Sequence, residues 1–222
     1  MALTIGMVTI GQSPRTDIIP DMRRILGPEP RILECGALDG LTLEEVRKLA
    51  PKPGGYVLVS LMRDGTEVML DRDLLINRIQ ACIDRLTDKG ADLIVILCTG
   101  EFPEFSSKKP LIEPSRILYS LVASLMRGGR LGVMVPSPGH VQEMRDRWRR
   151  TGLEVSIEPA SPYVKGDEIA KAAKKLQAQG VDLVIMDCMG YDEEMTERVR
   201  RMTGKPVICP HSLTARIVKE LI

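Results

Sequence analysis

Hydrophobic positions along the chain fall into two alternating kinds of segment. Compact aliphatic runs predict buried strands over 3–11 (LTIGMVTIG), 31–35 (RILEC), 91–98 (ADLIVILC), 130–139, 153–158 and 181–188. Between them, apolar positions recur at helical spacing over 16–26, 41–50, about 72–89, about 140–151 and 167–179. Pro20 limits the first of these helices to a start near that residue or a kink there. Thr42 and Glu45 have the spacing of a capping box. Gly90, Gly152 and Gly180 stand where helices close on a left-handed residue. Residues 56–71, with Asp64-Gly65 at their centre, predict a β-hairpin. Each half closes on a strand and a helix, 115–127 and 212–222, and these helices are expected to cover the opposite half. Strands alternating with helices predict an α/β fold with mostly parallel strands.

The pattern also repeats. KGADLIVILCTG (89–100) returns as QGVDLVIMDCMG (179–190), with five of twelve positions identical: Gly90/Gly180, Asp92/Asp182, Leu93/Leu183, Cys98/Cys188 and Gly100/Gly190. IGMVTIGQSP (5–14) is echoed by LGVMVPSP (131–138), and KPLIEPSRIL (109–118) by KPVICPHSLTARIV (205–218). Three correspondences in one order imply an internal duplication. The expected architecture is two pseudo-symmetric α/β halves with a cleft between them, 1–114 with 212–222 and 115–211. The first half carries an extra helix and hairpin over 36–70.

Composition narrows the function. Hydrophobic residues make up 44% of 222, enough for a real core, and the net charge of +1 gives no electrostatic footprint for nucleic acid. No aliphatic run approaches a membrane span, and the opening segment MALTIGMVTIG reads as a strand without a basic leader. Five cysteines, an odd number without CxxC spacing, argue against a disulfide framework and a zinc site and fit a reducing cytoplasm. Cys35, Cys82 and Cys209 read as core packing. Glu101, Glu104 and Glu113 lack metal-ligand spacing, and no GxGxxG follows the first strand of either half, so neither metal nor dinucleotide is expected.

Candidate chemistry follows from the parallel sheets, because ligands bind outside the carboxyl ends of such strands. The loops there are Gly11-Gln12-Ser13-Pro14-Arg15, Cys98-Thr99-Gly100, Ser137-Pro138-Gly139 and Cys188-Met189-Gly190-Tyr191, with His211 beside them. Two mirrored cysteines on facing walls suit proton transfer at carbon, one thiolate removing a proton and one thiol returning it. Backbone N–H groups of Thr99, Gly100, Met189 and Gly190, with the Ser13 and Ser137 hydroxyls, are expected to hold a substrate carboxylate. Arg15 is a candidate anion clamp and His211 a proton shuttle or carboxylate donor. His140 reads as exposed and neutral to function, Asp187 as structural, and RDRWRR (145–150) as a solvated face.

The paired cysteine-ended strands, the GQSPR and PSPGH loops and the closing KPVICPHSLTARIVKEL resemble the aspartate/glutamate racemase superfamily. TIGQSPR near the start, EPSRIL in mid-chain and the DCMG stretch resemble, more closely, the AroM family within it. The resemblance covers nearly the whole chain. It implies two pseudo-symmetric α/β domains and a cofactor-independent active site, in a superfamily of amino-acid and hydantoin racemases, maleate isomerase and arylmalonate decarboxylase. It also places the catalytic pair on Cys98 and Cys188. The sequence departs from the racemases in two places. Met189 follows the second cysteine with no side-chain donor, and the first loop reads Gln12-Ser13 instead of Asp-Ser. The expected function is a cofactor-independent isomerase or racemase, or a decarboxylase, acting on a small carboxylate. The alternative is a carboxylate-binding protein without catalysis. A homodimer is left open.

Overall fold

The computed structural model describes residues 3–222, so the reading of the first two residues as part of the opening strand segment lies outside it. The chain forms two compact units. One runs up to Pro114 and includes Ala215–Ile222; the other is Ser115–Thr214.

In the first unit, β1 (Thr4–Thr9), β2 (Arg31–Gly36), β5 (Leu93–Ile96) and β6 (Leu111–Ile112) form one parallel sheet in the order β2-β1-β5-β6. Ile5, Met7, Val8, Ile94, Val95 and Ile96 are fully buried, as expected of central strands covered on both faces. Helix α3 (Arg72–Asp88) lays Leu75, Ile79, Cys82, Ile83 and Leu86 into this core at helical spacing. Each fully buried aliphatic contributes roughly 1.5–3 kcal/mol relative to exposure. Helix α1 (Ile19–Leu26) starts one residue before Pro20. Helix α2 (Leu43–Arg47) carries the expected capping box: the Thr42 hydroxyl accepts from Glu45 N, and the Glu45 carboxylate accepts from Thr42 N. The hairpin forms as β3 (Val57–Leu61) and β4 (Glu67–Asp71), antiparallel, with Gly65 at φ +86° in the turn.

The second unit contains β7 (Arg130–Val135), β8 (Glu154–Pro159), β9 (Leu183–Met186) and β10 (Val207–Ile208), parallel in the order β10-β9-β7-β8. Its helices are α4 (Pro114–Leu125), α5 (Val141–Arg149), α6 (Glu168–Ala178), α7 (Glu193–Thr203) and the first turn of α8 (Pro210–Glu220). Read from the other edge, the strand order is that of the first sheet. The repeated aspartates do the same work in each. Asp92 accepts from Thr4 N (2.8 Å) and donates its own N–H to Thr4 O (2.7 Å); Asp182 does so with Arg130 (2.9 and 2.8 Å). Gly90 and Gly180 close the preceding helices at φ +85° and +69°.

Three expectations need correction. Cys35 and Cys82 are joined in a disulfide, Cα–Cα 5.5 Å, rather than packing as free thiols. The end of β2 faces the middle of α3, and a separation of 47 residues leaves no motif to announce it. Helix α7 has no counterpart in the hydrophobic reading; Asp192 caps it by accepting from Met195 N at 2.7 Å. RDRWRR is not a solvated face throughout, because Arg147 and Trp148 are buried. Among the described residues no helix is long and apolar enough to cross a membrane.

Candidate functional site

The order β2-β1-β5-β6 places a topological switch point between β1 and β5, and in the second sheet between β7 and β9. The loops selected from sequence leave these strands. In the first unit Gly11–Arg15 follows β1 and Cys98–Gly100 follows its neighbour β5. In the second unit Ser137–Gly139 follows β7, Cys188–Tyr191 follows the adjacent β9, and His211 lies just after β10, adjacent to β9 on the other side.

The loop after β1 is tightly built. Gly11 is approached so closely by the hairpin that a Cβ there would stand 2.4 Å from both Leu61 O and Ser60 Oγ. The Gln12 amide donates to Leu41 O (2.9 Å) and accepts from Arg63 N (2.9 Å), tying the loop to two other segments. Ser13 donates its hydroxyl to Asp39 Oδ2 (2.7 Å) and its N–H to Asp39 Oδ1 (2.8 Å). The Ser13-Pro14 peptide is cis. Arg15 is buried: its guanidinium donates to both oxygens of Asp17 (2.8 and 2.6 Å), to Thr9 Oγ1 (2.9 Å) and to Ser60 Oγ (3.2 Å). An anion would have to compete with Asp17 for it.

Cys98 lies two residues beyond the end of β5. Its sulfur accepts the Gly100 N–H at 3.3 Å. Beyond it, Glu101 N donates to the Tyr56 hydroxyl (2.9 Å), and Arg72 stacks 4.2 Å over the Tyr56 ring while donating to Glu101 O (3.3 Å).

The second unit makes the same turn. Gly190 N donates to Cys188 Sγ at 3.5 Å, and Met189 is buried in packing. The turn is gripped at Tyr191, whose hydroxyl donates to Ala160 O (2.5 Å). The Tyr191 carbonyl receives His211 Nδ1–H (2.6 Å) and the Cys209 thiol (3.3 Å). Because a carbonyl only accepts, Nδ1 carries the proton. Burial and the nearby Cys188 push the Tyr191 phenol well above its usual range, so it stays neutral. Cys209 stands 3.5 Å from His211 Nδ1. Burial raises this thiol, but the hydrogen bond and charge of His211, with help from Thr196 and the Ser212 N–H, outweigh burial and lower it.

His140 is not exposed. It is 5% accessible, and its Nδ1 is hydrogen-bonded to Ser137 Oγ at 2.9 Å. The 3-10 turn over Pro138–His140 folds the ring back onto the serine. Asp187 points away from the Cys188 turn. Its Oδ2 accepts from Trp148 Nε1 (2.8 Å) and lies 3.6 Å from Arg147.

Four residues escaped the sequence reading. Asp39 holds Ser13 from a loop with no repeat counterpart. Cys209 was filed as packing, although Cys209-Pro210-His211 aligns with Glu113-Pro114-Ser115 and so marked a strand end. His140 was read as solvent-facing. Tyr163, whose hydroxyl lies 3.9 Å from Cys188 Sγ, comes from the loop between β8 and α6 and carried no signal at all. An open polar depression of about 520 Å³ lies at the opposite, amino end of the second sheet. There Arg130, Glu154 and Asp182 bond one another or the adjacent backbone. Among the described residues no group of three His, Cys, Asp or Glu side chains is placed to hold a metal ion.

The profile of one family, described as AroM protein, matches residues 5–222. Among solved structures, the maleate cis-trans isomerase of Nocardia farcinica superposes with a TM-score of 0.66 at 14% identity, covering 99% of this chain and 92% of that one. The allantoin racemase of Pseudomonas fluorescens gives 0.62 at 15% identity (99% and 90%). The glutamate racemase of Aquifex pyrophilus gives 0.59 at 16% (99% and 84%). At these identities the likeness is one of fold, the two-domain fold of racemases. Curated relatives from two Synechococcus strains are 33% identical over 88 residues, a match that spans 34% of their length.

Proposed function

The chain belongs to the AroM family, and from that premise we propose that it is a cofactor-independent racemase or isomerase acting on a small carboxylate, with Cys98 and Cys188 as its acid/base pair. One observation carries this reading. Both cysteines stand two residues after a central strand in the same C-x-G turn, each sulfur accepting the N–H of the glycine two residues on, at 3.3 and 3.5 Å. A backbone donor aimed at sulfur favours the thiolate that such chemistry needs. The two thiols serve one substrate from opposite faces. One takes the proton next to the carboxylate, the electron pair is held by the carboxylate, and the other delivers a proton to the far face. Thr99 and Met189 N–H groups, with Ser137, are the proposed carboxylate donors; Ser13 is set aside because its hydroxyl and its N–H both donate to Asp39. Decarboxylation is a variant in which one thiol protonates the carbanion left behind.

Buried Met189, in the position of Thr99, favours a second reading: a carboxylate-binding protein without catalysis. Deuterium exchange separates the two. Incubation with a panel of chiral small carboxylates in D₂O should label the carbon next to the carboxylate, and Cys98→Ser and Cys188→Ser should each abolish turnover. Binding without exchange, unchanged in both variants, would sink the enzyme reading.

A further inference from the structure

In each cysteine turn the N–H that meets sulfur belongs to a glycine, Gly100 or Gly190. Side chains crowd both positions: a Cβ would stand 2.7 Å from Leu58 Cδ2 at residue 100 and 2.4 Å from Tyr163 Oη at residue 190. Glycine suits the space, yet it is the residue that restrains its own backbone least. Its N–H stays aimed at sulfur only where the chain is fixed on both sides. Before each turn the chain is tied to the neighbouring strand: Leu97 N donates to Val8 O (2.7 Å), and Asp187 N to Met134 O (2.8 Å). After each turn comes one residue, Glu101 or Tyr191, and both are held.

The two grips are built from unrelated parts. In the first unit, Tyr56 at the foot of the hairpin accepts the Glu101 N–H on its hydroxyl (2.9 Å), and Arg72 donates to Glu101 O (3.3 Å). Arg72 is fixed in turn, stacked 4.2 Å over the Tyr56 ring with its backbone N–H on Tyr56 O (3.0 Å). In the second unit, the Tyr191 carbonyl receives His211 Nδ1–H (2.6 Å) and the Cys209 thiol (3.3 Å), while the Tyr191 phenol donates to Ala160 O (2.5 Å). Arg72 opens α3 and His211 is the second residue of α8, so each donor sits on a helix start. The repeat does not relate them, because His211 corresponds to Ser115. The same carbonyl is therefore captured twice by residues of different origin. What the two halves share is the position held.

We propose that Tyr56 with Arg72, and His211, are positioning residues for the two cysteines: each holds the residue after a C-x-G turn, and so keeps the glycine N–H on sulfur. The link to catalysis rests on the two-cysteine reading above; the grip itself does not. His211 thereby takes a positional role in place of the proton shuttle expected from sequence, because its Nδ1 proton is bonded to the Tyr191 carbonyl.

The test is amide hydrogen exchange of the full chain, read by NMR at Gly100 and Gly190. His211→Leu should speed exchange at Gly190 about tenfold, the effect of losing one hydrogen bond, and leave Gly100 within about twofold. Tyr56→Phe, which loses only an oxygen, should do the converse, and it reads the same device even where His211→Leu fails to fold. His211→Asn should restore Gly190, because an amide N–H can stand where Nδ1–H stood, although asparagine cannot relay a proton. On a carboxylate that shows exchange in the D₂O panel, His211→Leu should lower kcat by about tenfold to a hundredfold with KM within about twofold, and His211→Asn should recover most of the loss. Gly190 and Gly100 unmoved in their folded variants, or protection lost equally at every glycine, overturns the grip. Gly190 protection restored by asparagine without turnover overturns the positional role of His211 and returns its ring to proton transfer. If no carboxylate exchanges label, the two-cysteine reading falls, and the glycine amides still decide the grip.

Discussion

Asp187→Asn tests the support beneath the Cys188 turn. The Asp187 and Arg147 side chains are 0% and 1% exposed, with 3.6 Å between Oδ2 and the guanidinium. At an effective dielectric of about 20 the attraction is about 5 kcal/mol, against a desolvation cost of several kcal/mol for each ion, so the intact pair roughly breaks even. Its geometry is imperfect, since Asp187 Oδ1 is buried with no hydrogen-bond partner. Removing one charge is a different matter, because buried Arg147 loses the carboxylate 3.6 Å away while keeping its bond to Ser115 O (3.1 Å). Such a loss costs about 3–5 kcal/mol. Asparagine can still accept from Trp148 Nε1, which points to the lower end, about 3 kcal/mol. With a urea dependence of about 1–3 kcal/mol per molar, the unfolding midpoint should fall by about 1–3 M. The assay is built in: Trp148, the single tryptophan of the chain, bonds Asp187 directly, so its fluorescence follows unfolding of the second unit. Arg147→Met combined with Asp187→Leu should recover most of the loss, because apolar replacement of a whole buried pair is often neutral or better. A midpoint unmoved by Asp187→Asn would refute the buried-charge argument. A double variant as weak as the single one would move the cost from charge to shape.

Two further outcomes follow from other contacts. Gly11→Ala should cost about 3 kcal/mol, at the upper end of overpacking, because the new methyl meets the Leu61 carbonyl rather than a mobile side-chain tip; an unchanged thermal midpoint would show that the hairpin does not seat on this loop. Cys209 ionises more readily in the folded chain than at its ordinary value of 9.0. The unfolded chain therefore holds more protons between the folded and ordinary values, and stability rises with pH through that window. The contribution is complete above the ordinary value and is lost as pH falls through the folded one. Urea midpoints across that window should show the slope in the parent and a smaller one in Cys209→Ala; equal slopes would remove His211 as the partner that lowers this thiol.

Much of the fold was legible because its signals are local. Aliphatic runs of strand length, the Thr42–Glu45 box, Asp64-Gly65 and the closing glycines each act within a few residues, and each forms where expected. The repeat also had a physical basis. Asp92 and Asp182 recur because each ties the start of one strand to the start of its neighbour. Cys98 and Cys188 recur because each turn folds a glycine N–H back onto sulfur. What escaped depends on contacts across the sheet. The Cys35–Cys82 bridge joins a strand to a helix with 47 residues between them, and Asp39 reaches Ser13 from another loop.

Met189 shows the same limit at the candidate site. Along the sequence it marks a lost donor, since Thr99 holds the equivalent place after the first cysteine. In the folded chain Met189 is buried packing, and a hydroxyl reaches the turn from Tyr163, 25 residues upstream. Parallel pairing allows this, because β8 and β9 both flank β7 and so deliver their carboxyl-end loops to one edge of the sheet. A donor supplied through space leaves residue 189 free to pack. Judging the second turn by its own three letters therefore undercounts its polar groups.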